Sequence, residues 1–309
     1  MYALVSHLEK EFGVHYAMGG VAAIAKAMAD VVVDQGGTLR LGEEVDEIIC
    51  SDGRASGIKL ATGETIEADI IVSNADAGHT YSRLLRNVSR KRWSDEKLER
   101  SRWSMGLFVW YFGTKGTRDK WKDVGHHTIV NGPRYRGLVD DIFIKGKLSD
   151  DMSLYVHRPT VTDPSCAPEG DDTFYALSPV PHLGFDNPVD WSDMAETYRQ
   201  KVQAVLEDQL LPDLGAHLSA SEMLTPEDFQ TRYLSPNGSG FSIEPRILQS
   251  AYFRPHNVLE EVPGLYLVGA GTHPGAGLPG VISWAEVLSK LVPNPQVRAK
   301  NKPMKVAAE

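Results

Sequence analysis

The sequence has few cysteines, no long apolar run and no excess of basic residues. Two cysteines, Cys50 and Cys166, give no disulfide framework, so we expect reduced thiols in a cytoplasmic protein. No run approaches the roughly 18–20 apolar residues that a membrane-spanning helix needs. The segment MYALVSHLEKEFG has no basic region before an apolar core and is not expected to be a secretory signal. A formal net charge of −9 argues against nucleic acid as a partner.

The spacing of the histidines and acidic residues gives no metal-ligand pattern. Adjacent carboxylates, as in Asp140-Asp141 and Asp150-Asp151, point to different sides of an element. We therefore expect surface carboxylates, hydrogen-bonded histidines and no metal. The histidines considered are His126, His127, His157, His182, His217, His256 and His273.

What the sequence does contain is a glycine-rich stretch near its end, PGLYLVGAGTHPGAGLPGVISWAEVLSK at 263–290. An apolar run, LYLV, predicts a buried strand, and an apolar-periodic helix is predicted to begin near Val281. Five glycines and two prolines lie between them. Such a turn brings bare backbone, and the partial positive charge of a helix N-terminus, close to a ligand. A tight surface turn is the alternative explanation.

The first hundred residues predict an α/β pattern. A buried helix is expected from Val21 to Val32, then strands in TLRLGEEVDEIICS with a kink at Gly42. Asp52-Gly53 predicts a hairpin, after which strands at 56–60 and 65–67 continue a meander. A returning strand stops at Asn74, and Asp76 is either a helix N-cap or a ligand-facing residue.

The sequence pattern changes at residues 104–246, and the new pattern predicts an antiparallel sheet with helices packed on it. Aromatic strands alternate with loops and precede a helix at 192–209. The aromatics are either sheet core or the lining of a long apolar channel: Trp110, Tyr111, Phe112, Tyr155, Phe174 and Tyr175. The basic run RNVSRKRW at 86–93 is either a solvated face or a contact for anionic lipid headgroups.

VGAGTHPGAGLPGV resembles the C-terminal flavin signature of bacterial-type phytoene desaturases, in the carotenoid branch of the flavin amine oxidase superfamily. The resemblance runs in the family's order through five further segments, so it covers nearly the whole chain. Thr272, where amine oxidases usually carry an acid, favours the carotenoid branch, whereas Trp284 departs from the small residue expected there. The five segments are GPRYRGLVDDIF, SLYVHRPTVTDPSCAPEG, YALSPVPHLG, FSIEP and QSAYFRPHN.

This resemblance implies an incomplete Rossmann-like FAD-binding domain (1–103 and 247–290), an α+β substrate domain (104–246) and a flexible tail (291–309). Val45 would meet the adenine, although an ordinary strand residue is the alternative. The helix N-terminus would face the flavin ring. The implied FAD-binding residues are Val45, Asn74, Gly269, Ala270, Gly271, Pro279, Gly280 and Val281.

The implied reaction is flavin-dependent desaturation of a linear carotenoid such as phytoene, with no catalytic side chain identified. The substrate would come from a membrane, so peripheral attachment is implied. Another carotenoid substrate remains open. So does a non-catalytic fragment or partner subunit that needs the missing N-terminal part. The partners considered are a homo-oligomer and a complementing N-terminal chain.

The family opens with a βαβ unit that carries GxGxxG and an acidic residue for the ribose, and neither is found near Met1. By resemblance, Met1 aligns with an interior position of the family, so the chain is expected to be truncated.

We predict that this chain alone holds FAD weakly, because the usual diphosphate cradle is not among its early residues. Three or four charge-assisted hydrogen bonds at about 1.5–3 kcal/mol each would go unmade. Fluorescence titration of the isolated chain with FAD, repeated with an added N-terminal fragment, measures the loss. Submicromolar binding by the isolated chain would contradict the prediction.

Overall fold

An antiparallel meander forms the first sheet of the computed structural model, which describes residue 7 and residues 9–293. Strand β1 (Val45–Ser51) pairs with β2 (Arg54–Leu60), and β2 pairs with β3 (Thr65–Glu67). The hairpin turn places Asp52 and Gly53 at φ of 51° and 74°, as a two-residue turn requires. The predicted meander is therefore present. The prediction of a strand before Gly42 is wrong, because residues 37–44 form no regular secondary structure.

Helix α1 (Val21–Asp34) forms where the sequence predicts it, but none of its residues is buried. Its larger apolar side chains are mostly exposed, with Met28 55% and Val31 59% exposed, while Ile24 is partly buried. The prediction of a buried helix is wrong, because no described element covers the apolar face of α1.

A two-stranded parallel sheet joins parts of the chain that are far apart in sequence. Strand β4 (Ile71–Ser73) pairs with β10 (Leu265–Leu267), whose residues are all buried. Two short helices, α2 (Ala77–His79) and α3 (Asp95–Glu99), follow β4, with a π-helical turn at Thr80–Leu84 between them. Helix α8 (Leu278–Leu291) follows β10.

A five-stranded antiparallel sheet dominates the middle of the chain. Its order is β6-β7-β8-β5-β9. The bounds of its elements are β5 (Gly106–Thr114), β6 (His127–Val130), α4 (Tyr135–Phe143), β7 (Leu154–His157), β8 (Asp172–Val180), α5 (Trp191–Gln209), α6 (Leu214–His217), β9 (Leu218–Leu224) and α7 (Pro226–Arg232). The predicted sheet and long helix are present, whereas α4, β9 and α7 were not expected.

The two faces of this sheet separate the aromatic residues. Trp110, Phe112 and Phe174 are almost fully buried and pack in the cluster that includes α5. Tyr111 and Tyr175 lie on the opposite face, with Tyr111 42% exposed and ring centroids 5.7 Å apart. The sheet therefore has one packed face and one partly open face, and the described cavities include no enclosed channel lined by these tyrosines.

A buried ion pair joins Arg158, which follows β7, to Asp172, the first residue of β8. Arg158 also contacts the loop that precedes β6. Arg158 binds Asp172 through two hydrogen bonds, Nε to Oδ1 at 3.0 Å and Nη2 to Oδ2 at 2.9 Å. Its remaining donors bind the carbonyls of Arg118, Trp121 and Val124. Burial alone would raise the pKa of Asp172, but hydrogen bonds from Arg158 and two threonines hold that pKa below its ordinary value.

We predict that Arg158→Met lowers the free energy of unfolding by about 3–5 kcal/mol, because it removes both direct ion-pair hydrogen bonds of the buried Asp172. The remaining cation, Arg118, has its Nε 3.8 Å from the Asp172 Oδ1, which is beyond hydrogen-bond distance. Since the folded pKa of Asp172 is depressed, the pair stabilises the fold above the unfolded carboxyl pKa of about 3.9. That stability is lost as the pH falls through the folded pKa. Urea unfolding at pH 7 and at acid pH measures both effects.

The matched control is Lys26→Met, which removes a solvent-exposed i,i+4 pair with Asp30 and should leave stability nearly unchanged. Equal effects of the two substitutions at pH 7 would contradict a structural role for the buried pair.

Candidate flavin-facing cleft

The strands β4 and β10 are parallel, so the loops that follow them begin at the same end of the sheet. The backbone N–H of Val268 donates to the carbonyl of Ser73 at 3.0 Å, which extends the pairing past β10. Asn74 and Gly269 follow directly. A Cβ added to Gly269 would lie 3.2 Å from the Asn74 Oδ1 atom, so these two predicted site residues are adjacent.

The turn after β10 closes on itself. Thr272 donates to the Gly269 carbonyl twice, from its backbone N–H at 3.0 Å and from its hydroxyl at 2.9 Å. Gly269 has φ of 114°, in the region that favours glycine. Gly271 is needed for close approach, because a Cβ there would lie 2.7 Å from the Ser242 Oγ atom.

A buried arginine lies beneath this turn. Arg254 is 2% exposed, and its Nη2 donates to the Ala270 carbonyl at 2.7 Å. Burial lowers the pKa of Arg254 to about 10, against the opposing effect of the Asp76 charge. The Arg254 Nε has no hydrogen-bond partner among the described residues, which is unusual for a buried donor.

Helix α8 follows a second turn, which contains two glycines at positive φ. Gly275 and Gly277 have φ of 134° and 110°, and Gly277 is the N-cap. The first turn holds the predicted residues Pro279, Gly280 and Val281, of which Val281 is 38% exposed. The predicted strand, turn and open helix N-terminus are therefore present, with the helix beginning at Leu278 instead of near Val281.

A cleft of about 380 Å³ lies at this turn. One side is apolar, and the other presents the turn backbone and a few polar groups. Its lining residues are Ser104, Met105, Phe143, Phe241, Glu244, Pro245, Arg254, Gly275 and Ala276. A depression of about 570 Å³ lies along the meander, but it does not reach the glycine-rich turn.

The structure brings together most, but not all, of the residues predicted for the flavin. Val45 begins β1 and pairs with Leu60, in a different sheet from the turn. Asp76 is an N-cap, since its side chain accepts from the Gly78 N–H at 2.7 Å.

Sequence reasoning missed Arg254, because nothing in its spacing marks it as buried. It also overlooked that Gly275, Gly277 and Gly280 themselves have GxGxxG spacing at the start of a helix. This motif does not directly follow a strand, since β10 ends at Leu267.

We predict that Gly271→Ala lowers the free energy of unfolding by about 1–3 kcal/mol, as expected of overpacking. The new Cβ would also lie 2.9 Å from the Ala77 Cβ, so the turn has to move. Gly125→Ala is the control, because the nearest atom to its Cβ would be 3.8 Å away. Chemical denaturation that finds the two variants equally stable would refute a close-approach role for Gly271.

Comparison with known proteins gives one consistent result. The chain is 65% identical to a phytoene desaturase (neurosporene-forming) of Cereibacter sphaeroides, over all of this chain and 60% of that protein. It is 44% identical to a lycopene-forming phytoene desaturase of Pseudescherichia vulneris, over 94% of this chain and 58% of that protein. The chain thus spans about 60% of the length of these curated relatives.

The fold comparison agrees. An oxidoreductase from Methanosarcina mazei is similar with a TM-score of 0.60 at 17% identity, over 88% of this chain and 55% of that one. The family description of flavin-containing amine oxidoreductases matches residues 2–285, and it implies FAD as the cofactor. The chain therefore belongs to the flavin-containing amine oxidoreductase family.

Proposed function

We propose that this chain forms the flavin-facing and substrate-facing part of an FAD-dependent desaturase of linear carotenoids. The observation that carries the proposal is the cleft, in which Gly275 and Ala276, just before the N-terminus of α8, lie opposite an apolar wall. An apolar polyene and a planar flavin need these two surfaces side by side. The names of the relatives, phytoene desaturases, support this substrate class.

The residues at the turn fit a flavin. Gly269, Ala270 and Gly271 form the turn whose Ala270 carbonyl binds Arg254, a lining residue of the cleft. Asn74 adds an amide beside Gly269. The unpartnered Arg254 Nε is a donor available to a bound group in this region. Val45 is proposed for the adenine end on resemblance alone. When bound, flavin supplies the acceptor for the hydride that an allylic carbon of the substrate loses, while the neighbouring carbon loses a proton.

The protein's own contribution is position and electrostatics. The N-terminus of α8 carries about half a positive charge and would stabilise negative charge on the edge of a bound ring. Arg254 holds the Ala270 carbonyl and so fixes the turn. Met105, Phe143 and Phe241 keep water from the apolar side of the cleft.

The strand β5 continues the apolar side away from the cleft. Met105 precedes Leu107 and Val109 on the same face, where α7 residue Phe229 packs over them. The face opens again at Tyr111, about 20 Å from Met105 at the usual rise per strand residue. We propose that this face belongs to the substrate domain, 104–246. Residues 1–103 and 247–290 then form the flavin domain. Of the proposed tail, 291–309, residues 294–309 lie outside the described residues.

We also propose that the protein works in the cytoplasm, attached to a membrane surface. Exposed apolar side chains surround the cleft region, with Ile247 87%, Leu248 74% and Ile144 70% exposed. Arg102 and Arg246 line neighbouring depressions with them, which suits anionic headgroups. Among the described residues, no helix has the length and apolarity to cross a membrane.

The apolar face of α1 is the observation that favours a complementing partner. We propose that this face packs against a further polypeptide segment, supplied by a complementing N-terminal chain or a second copy. Burial of Met28, Val31 and Val32 in such a complex would remove an exposed apolar patch from water.

The function is tested in a bacterial host that accumulates phytoene, with the N-terminal part of the 65%-identical relative supplied in trans. Desaturation appears as visible absorption from newly conjugated double bonds. Met105→Glu should lower product formation more than tenfold, because it places a charge in the apolar wall. Met105→Leu is the matched control and should stay within twofold. No product in cells whose purified protein carries flavin would overturn the proposal.

The membrane proposal is a second arm of the same experiment. Ile247→Glu/Leu248→Glu should reduce sedimentation of the protein with anionic lipid vesicles, whereas Glu99→Gln, outside this region, should not. If both variants sedimented with the vesicles to the same extent as the parent chain, this surface would be ruled out as the attachment site.

A further inference from the structure

Three histidines meet at one edge of the five-stranded sheet, away from the residues that line the cleft. His127 on β6 pairs with His157 on β7 in the antiparallel register. His126 lies in the bend before β6, and its carbonyl accepts from the Arg158 N–H at 2.8 Å. This bend turns the His126 ring toward its neighbours, so that one ring nitrogen from each histidine lies within 4.8 Å of the other two.

In two of the three histidines, the Nδ1 atom lies within hydrogen-bond distance of a hydroxyl group. The His126 Nδ1 is 2.5 Å from the Thr162 Oγ1, and the His127 Nδ1 is 2.6 Å from the Tyr155 hydroxyl. These contacts leave the Nε2 atoms of both rings for another partner. The His126 Nε2 already faces the His157 Nε2 at 2.8 Å.

We propose that His126, His127 and His157 bind a divalent transition metal ion, of which Zn²⁺ is the type. Three imidazole nitrogens suit Zn²⁺, Cu²⁺ or Ni²⁺, whereas Mg²⁺ and Ca²⁺ prefer oxygen. Hydroxyl partners on the second ring nitrogen are the kind of outer contact that orients metal-binding histidines. The proposal is independent of the proposed desaturase function.

The dimensions of the cluster are compatible with such an ion. Zinc–nitrogen bonds of about 2.0–2.1 Å put tetrahedral ligand nitrogens about 3.4 Å apart. The close pair, His126 and His157, has to open from 2.8 Å, and the widest separation has to contract from at most 4.8 Å. Side-chain rotation supplies both changes while the backbone register stays as it is.

The surroundings indicate what a metal would hold together. The Tyr16 ring stacks edge-on against His126, with centroids 4.8 Å apart, and Gly19 donates to Asp163 at 2.6 Å. The segment that precedes α1 therefore lies on the same corner as edge strand β6. A metal there would join β6 to β7 beside this segment, and the exposed His127 leaves a fourth coordination position open to solvent.

Zinc binding is measured at pH 7.5 on the whole chain without a polyhistidine tag, by competition with a chromophoric chelator. We expect one equivalent bound by the parent chain. His157→Ala should weaken binding at least 100-fold, and Tyr155→Phe about tenfold, the lower end for loss of an outer contact. His217→Ala is the matched control, since this histidine lies outside the cluster, and should leave affinity unchanged.

Cobalt substitution and thermal unfolding provide readouts that do not depend on any variant folding. Co²⁺ should give visible d–d bands in the parent chain that zinc displaces, and saturating zinc should raise the thermal midpoint. The proposal is overturned if the parent chain gives no such bands and binds no stoichiometric zinc. It is equally overturned if folded His157→Ala binds zinc as tightly as His217→Ala does.

Discussion

The parallel pairing of β4 with β10 is the constraint on which the rest of the site depends. Three residue pairs, Leu265 with Ile71 through Leu267 with Ser73, join the early and late parts of the chain. Because the strands are parallel, both segments leave the sheet at the carboxyl ends of the strands, where Asn74 lies beside Gly269. The glycine-rich turn, the N-terminus of α8 and the cleft all follow from that exit point.

Two buried arginines show how differently the same residue is used in the two regions. Arg158 has Asp172 and backbone carbonyls as partners, so its charge is compensated inside the protein and serves stability. Arg254 has an unpartnered Nε among the described residues and lies at the wall of a cleft. A buried donor without a partner costs free energy in the free protein, and a bound group that accepted its hydrogen bond would recover that cost.

Local pattern was enough to predict most of the strands, the long helix α5 and the strand–turn–helix at the glycines. Alternating or continuous apolar runs and the Asp52-Gly53 turn carry that information in adjacent residues. The exposure of α1 was not predictable, because burial depends on a partner surface rather than on the helix's own period. The helices α4 and α7 and the edge strand β9 were missed. They have nine, seven and seven residues, fewer than the window of about 11–18 residues in which a hydrophobic period is recognised.

The sites that were not predicted all depend on long-range register. His126 and His157 are 31 residues apart, and only the pairing of β6 with β7 brings their rings together. Arg254 is likewise placed by the fold of the returning chain and not by any motif around it. In contrast, Asp76 acts within its own turn, and its role as an N-cap was readable from the sequence.

The discontinuous two-stranded sheet also sets an order for synthesis. About 190 residues separate β4 from β10, so at about 5–20 residues per second β4 waits some 10–40 s for its partner. The whole five-stranded sheet, from Gly106 to Leu224, is synthesised within that interval. On the ribosome, all five strands of that sheet are therefore available to pair with one another before β10, and with it the glycine-rich turn, can join β4.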